Sequence, residues 1–373
     1  MSAAPPSSSK PPALPALTSL RFFAALAIVV HHCNGVFWPA AELGPLDAGV
    51  SFFFVLSGFV LTYVYADLPS TAAAWRGFYR ARLARIWPLH SVCLLLTICL
   101  VATPEPFNPL ALCANLLLVH AWLPWDRLFF SYNYVSWSIS TELFFYLFLP
   151  VLLTWRSRWL WLGMALSVCV AIALACASDW FDLETWQTGG NEISATGLLY
   201  SNPLTRAVEF LLGIASARLF MRRRSAPYGT IARGTLFELA STAAFAVGFV
   251  LVAAAGKTGL VDHAGPVLKT LATEWVQHVA LAPLAACLIY VFAHPTGAIA
   301  RILSHRALVY AGEISFALYL VHQLLLRALQ SRVAHPGAIA FAGYLVVCLL
   351  AAVLLHGLVE RPARRWLTAP RGR

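Results

Sequence analysis

From residue 17 to residue 359 the chain repeats one theme: an apolar run of about twenty residues, a short polar connection, and another apolar run. That length is what a helix needs to cross a hydrocarbon core roughly 30 Å thick. Inside such a core no water satisfies the backbone, so each segment must close its own hydrogen bonds, as an α-helix does. The runs fall at 17–38, 48–66, 88–103, 137–155, 159–178, 204–221, 235–255, 273–293, 309–330 and 337–359. A further apolar piece, 109–124, is shorter, is bounded by Pro109 and Pro124, and carries Asn115 and His120. Its expected place is re-entrant or interfacial. The fold class expected is all-α, a polytopic membrane helical bundle of about ten transmembrane helices plus that short segment. Composition agrees, with 60% hydrophobic and 11% charged residues and a mean hydropathy of +0.73, where soluble domains are about a quarter charged.

The basic residues decide the number of spans, because positive charge collects on the cytoplasmic side. With ten spans and a cytoplasmic N-terminus, that side receives Lys10, Arg76, Arg80, Arg82, Arg85, Arg156, Arg158, Arg222, Arg223, Arg224, Arg233, Arg301, Arg306 and the arginines from 361 to 373. The other side keeps Arg127, Lys257, Lys269 and Arg332. Counting 109–124 as a span would throw nearly every later cluster to the wrong face. Both termini are therefore predicted cytoplasmic, a Pro/Ser-rich disordered tail at 1–16 without a signal-peptide pattern and a basic tail at 363–373. The net charge of +10 reads as a topology signal, and no nucleic-acid partner is expected. The eight cysteines lie almost wholly in apolar runs without CxxC or Cys/His spacing; they are small hydrophobes, and no metal site is expected. Of the outer loops, 179–203 carries Asp179, Asp182, Glu184 and Glu192 with Trp180, Phe181 and Trp186 and no Lys or Arg. Sugar-binding surfaces share that composition, as does any loop excluded from the basic side.

Polar groups within apolar runs need a reason to be there. In the first span Arg21 and His32 are eleven residues apart, which on a helix returns them to nearly the same face about 16 Å apart. Arg80, Arg82 and Arg85 crowd the mouth of the third span before Pro88. Two roles fit them: anchoring to anionic headgroups, and binding an anionic ligand, since guanidinium forks match phosphate. Glu142, about one turn inside the fourth span, needs a partner, either Arg21 or a histidine. Arg206 and Glu209, at i and i+3, satisfy each other. Ser315, Tyr319 and His322 share one face, with Glu313 just before, and His322 is either a hydrogen-bonded core residue or a catalytic one. Ser51, Ser57 and Gly58 read as helix-packing residues, and Pro362 as the stop of the last span. No GxSxG, Walker A, HExxH or GxGxxG motif is present.

Taken in order, SLRFFAALAIVVHH, GVSFFFVLSGF, RARLARIWP and SWSISTELFFYLFLP, with RAVEFLLG, ISFALYLVH and the closing VERP, resemble the acyltransferase-3 family of integral membrane acyltransferases. The resemblance runs from about residue 17 to 362. It selects Arg21 and His32, the RxxR of Arg82 and Arg85, and Glu142 of WSxxxE. Many members have Asp where this chain has Ser51. The chain also ends after the membrane domain, 17–362, without the SGNH hydrolase-like domain of some members, which leaves acceptor selection to the membrane domain or to a partner. The resemblance implies a bacterial inner-membrane enzyme that moves an acyl group, usually acetyl from cytoplasmic acetyl-CoA, to a hydroxyl of a cell-surface or exported glycan or lipid-linked sugar, such as exopolysaccharide or O-antigen, alone or within a polysaccharide-synthesis complex. On this reading His32 is the general base or carries the acyl group. Arg21 holds the donor or polarises the site, Arg82 and Arg85 bind CoA phosphates, and Glu142 orients a histidine or arginine. The alternative is a transporter of a lipid-linked sugar or acyl metabolite, although no inverted internal repeat is visible.

Overall fold

The structure, a computed structural model, describes residues 11–41, 43–101, 107–185, 192–223, 229–258, 265–333 and 336–369. Lys10, Trp186, Arg224, Arg371 and Arg373, with most of the N-terminal tail, lie outside the described residues. Ten long helices make the body: α1 (Pro15–Cys33), α2 (Gly49–Val64), α3 (Ala72–Leu100), α4 (Trp137–Thr154), α5 (Ser157–Trp180), α6 (Pro203–Arg223), α7 (Ile231–Lys257), α8 (Pro266–Phe292), α9 (Arg306–Gln330) and α10 (Ala338–Thr368). Nine of these, among the described residues, are long and apolar enough to cross a membrane. The tenth, α6, has 21 residues, about 32 Å of helix. Its hydropathy is lowered by Arg206, Glu209 and Arg218 and by the arginines at its end. The piece at 109–124 forms only a short helix, Pro109–Leu116, and a 3-10 turn, His120–Trp122, which cannot span.

Burial separates a centre from a rim. The spans containing α2, α4 and α9 are 72%, 67% and 67% buried, whereas those of α7 and α10 are 6% and 17% buried. Leu236, Val247, Val250 and Leu251 on α7 and Val346, Leu350 and Leu354 on α10 are exposed, as expected of side chains that face lipid. The central helices approach closely because they lack side chains where they cross. On α2, a Cβ at Gly58 would sit 2.2 Å from the Phe210 carbonyl oxygen of α6, and one at Gly213 would sit 2.1 Å from that of Val55. Gly312 of α9 likewise lies against the Thr18 carbonyl of α1, bringing α1 and α9 side by side.

Three boundaries differ from the sequence expectation. Helix α3 begins at Ala72 and runs unbroken past Pro88 to Leu100, so the arginine cluster rides on the helix instead of preceding it; its charges mask the helix in a hydropathy scan. Pro362 does not stop the last span. A π turn, His356–Glu360, leads into a further helical stretch, Arg361–Thr368, and the proline sits in that stretch's first turn, where a missing N–H costs nothing. Finally, α8 begins earlier, at Pro266, and its course is interrupted by a π turn at Ala272–Val276, followed by a short α stretch, Gln277–Val279, and regular helix from Ala282.

Candidate active site

Two of the cavities among the described residues lie between the central helices and are partly open. The first, about 790 Å³ with its open mouth included, is lined by Arg21 of α1, Ser57 of α2, Arg82 and Arg85 of α3, and Glu142 and Tyr146 of α4. This arginine chamber gathers four of the five residues singled out from the sequence. The second, about 1850 Å³, is lined by His31 and His32 at the end of α1, Asp47, Tyr134, Trp137, Tyr200, Glu274, Gln277, His278 and Gln323 among others. It holds His32. Val50 and Tyr319 line both, so the two chambers adjoin in the interior of the bundle.

In the arginine chamber Glu142 Oε1 accepts from the Ser57 hydroxyl at 2.8 Å and from the Tyr146 hydroxyl at 2.6 Å. Its direct partners are thus two hydroxyls, with Arg21 a longer-range electrostatic neighbour, and Ser57 has a role beyond packing. Arg85 is committed to an ion pair with Glu360, whose other oxygen meets His356 Nδ1 at 2.9 Å. Arg82 is less satisfied. Its Nη2 donates to the Tyr65 hydroxyl at 3.3 Å, and its guanidinium lies over the Tyr65 and Tyr146 rings. Its buried Nε has no partner among the described residues. A buried cationic donor without an acceptor is costly and is ready for an anion.

In the histidine chamber the hydrogen bonds fix a tautomer. His32 Nδ1 lies 2.9 Å from the Ile28 carbonyl, and His322 Nδ1 lies 3.3 Å from that of Leu318. A carbonyl only accepts, so each Nδ1 carries the proton. His322 Nε2 is then a lone pair and accepts from His32 Nδ1–H at 3.2 Å. What remains on His32 is the Nε2 lone pair, the form a base or nucleophile requires. His31 is exposed and His32 half-buried. Burial first, and then the Asp47 charge, holds the Tyr200 hydroxyl well above the usual phenol range, so it serves as a neutral hydrogen-bonding group. Beneath the chamber Arg206 donates from Nε and Nη2 to the two Glu209 oxygens at 2.7 and 2.9 Å, and from Nη2 to Ser51 at 3.2 Å. Its guanidinium is enclosed by the rings of Phe54, Trp137 and Tyr200. His120 is buried away from both chambers, stacked on His90, and burial pushes it down to about 3.

Residues 14–357 match the family model Acyl_transf_3, described as an acyltransferase domain. The chain belongs to that acyltransferase family. It is similar to Acyltransferase MdmB of Streptomyces mycarofaciens, 31% identical over 388 residues that cover 95% of this chain and 92% of the relative. Putative peptidoglycan O-acetyltransferase YrhL of Bacillus subtilis is 24% identical over 94% of this chain and 55% of its own length. O-acetyltransferase OatA of Staphylococcus aureus is 27% identical over 38% of this chain and 25% of its own length. No solved structure matches the chain. The acyltransferase is an enzyme and a multi-pass membrane protein.

Sequence reasoning passed over several residues that this acyltransferase's chambers use. Tyr146 was accessible, being one helical turn after Glu142. Glu360 stands in the VERP motif, of which the sequence singles out only Pro362. Asp47 and His278 carried no sequence signal that linked them.

Proposed function

We propose that the protein is a membrane O-acyltransferase that takes an acetyl or other short acyl group from acyl-CoA in the arginine chamber. It passes the group to a hydroxyl of a cell-surface or exported glycan, or a lipid-linked sugar, in the histidine chamber. The observation that carries the reading is the adjacency of the two chambers, with the unpartnered Arg82 Nε in one and the His32 Nε2 lone pair in the other. CoA is a polyphosphate on a long flexible arm. Arg82 and Arg85 receive its phosphates, the latter by sharing Glu360, while the thioester reaches inward past Arg21. Arg21, with Glu142 balancing its charge, stabilises the oxyanion that forms at the acyl carbon. His32 Nε2 takes the acceptor proton or carries the acyl group itself. Aromatic faces and hydrogen-bonding groups together suit a polyhydroxylated ring, and a relative whose name includes peptidoglycan supports a glycan acceptor.

Because acyl-CoA is made in the cytoplasm, the arginine chamber opens to that side on this reading. That side also carries both termini, in the bacterial inner membrane. The test is incubation of membranes with labelled acetyl-CoA and the cell's polysaccharide. Label on the glycan with release of CoA is expected from the native protein, and none from a folded His32→Ala variant. Transfer at the native rate by His32→Ala would overturn the assignment. Unchanged acetyl-CoA with the native protein would favour a transporter.

A further inference from the structure

A second imidazole faces the histidine chamber with a carboxylate behind it. His278 Nδ1 lies 2.5 Å from Asp47 Oδ2, and its Nε2 lies 3.1 Å from the Gln277 side-chain amide nitrogen. An amide nitrogen only donates, so His278 Nε2 is the acceptor and its proton is on Nδ1, directed at Asp47. Carboxylate, Nδ1–H and an unprotonated, accepting Nε2 on a residue that lines a cavity are the arrangement of a general base whose cation is stabilised by an adjacent acid.

The backbone is shaped to present this pair. The π turn Ala272–Val276 immediately precedes Gln277 and His278, and such turns recur at functional sites. The Ser51 hydroxyl donates to the His278 carbonyl at 2.5 Å, one turn along from Asp47. Gln277 is exposed, so a substrate hydroxyl can take the place of its amide. The groups facing His278 are Asp47, His31 and His32 of α1, Tyr200, Glu274 of its own helix, and the Arg206–Glu209 pair, which neutralises itself.

We propose that His278 is the general base for the acceptor hydroxyl and that Asp47 is its positioning residue. The proposal rests on the reading of this chamber as the acceptor site. His278 Nε2 takes the hydroxyl proton and the acceptor oxygen forms a bond to the acyl carbon. The bond from that carbon to CoA sulfur, or to His32 Nε2 where the group is carried there, breaks with its electron pair leaving on sulfur or on the imidazole. The proton on His278 then passes to water at the chamber's open side. His32 is thereby left free for the acyl carbon, which one imidazole serving both roles would not allow.

The experiment is steady-state acylation of the polysaccharide by purified full-length protein in lipid, over a pH series, for the native protein, His32→Ala, His278→Ala, His278→Asn and Asp47→Asn. Asparagine at 278 keeps a donor towards Asp47 and so guards against misfolding. For both His278 variants kcat is expected to fall about 10²–10⁴-fold with the KM for acyl-CoA unchanged, and added imidazole to restore part of the rate to His278→Ala. Asp47→Asn removes the carboxylate at which the His278 Nδ1 proton is directed, so the acidic limb of its pH profile is expected to differ from the native one. Native kcat in folded His278→Asn would overturn the proposal, as would a loss without imidazole rescue and with an unmoved limb in Asp47→Asn. If His32→Ala is inactive while His278→Asn is not, the dyad alone fails; if His32→Ala is fully active, the reading of the chamber fails first.

Discussion

The two chambers are built on opposite electrostatic plans. The arginine chamber is small and cationic, and several of its donors are already engaged, Arg85 by Glu360 and the Ser57 and Tyr146 hydroxyls by Glu142, while the buried Arg82 Nε has no partner among the described residues. The histidine chamber is more than twice as large. Its imidazoles direct their Nδ1 protons at carbonyl, imidazole and carboxylate acceptors, which leaves each Nε2 as the lone pair. Fixed charge with an open donor suits holding a polyanion in one pose, whereas nitrogen lone pairs suit moving protons and acyl groups. The contrast predicts that substitutions in the two chambers separate kinetically, one acting on KM for the donor and the other on kcat.

The largest expected effect comes from His32→Ala, which removes the group at the junction of donor and acceptor. Glycan acylation is expected to fall about 10²–10⁴-fold, while binding of a non-transferable acyl-CoA analogue, measured by calorimetry in detergent, stays within twofold or so of native. Loss of analogue binding would mean that the chambers are not separable. Next comes Glu209→Ala. It strands the Arg206 cation, whose relative exposure is 1%, among three aromatic rings. Breaking a buried pair on one side costs about 3–5 kcal/mol, to be read as a fall in thermal stability of the purified protein. Trp137 and Tyr200 of that enclosure line the histidine chamber, and neither Arg206 nor Glu209 lines the arginine chamber, so acyl-CoA analogue affinity per folded molecule should be retained.

Arg82→Ala tests the other side. A hydrogen bond to a charged group contributes about 1.5–3 kcal/mol, so KM for acyl-CoA is expected to rise roughly tenfold to a hundredfold with little change in kcat, and the native KM to be the more salt-sensitive of the two. A fall in kcat at unchanged KM would move Arg82 from donor binding to chemistry.

The bundle was legible because each helix had to satisfy its backbone alone, and that demand leaves a run of apolar residues in the chain. The start of α3 was hidden for the same reason in reverse: arginines that belong inside the protein look like a boundary to any scan of hydropathy. Local spacing also revealed the stripe of Arg21 and His32, the Arg206–Glu209 pair and the face shared by Tyr319 and His322. Contacts between distant helices were not legible. His322 meets His32 across 290 positions, and His278 meets Asp47 across 231. Ser51 and Ser57, read as packing residues, instead hold His278 and Glu142, because a serine's partner depends on which helix crosses it.

The smallest effect is the most informative about the tautomer. His32 Nδ1–H is shared between the Ile28 carbonyl at 2.9 Å and His322 Nε2 at 3.2 Å, and either acceptor alone is enough to keep the proton off Nε2. His322→Phe fills the space of the ring and removes the lone pair, yet Ile28 remains. The cost should be that of one hydrogen bond, about 1 kcal/mol, seen as roughly a fivefold fall in kcat with KM for acyl-CoA unchanged. A fall as deep as that of His32→Ala would mean that the backbone carbonyl does not suffice and that His322 itself takes part in the proton's path. The weak contact and the strong one would then have exchanged roles, and the transferring chamber would take in His322 beside Tyr319 and Gln323 of α9, which already line it.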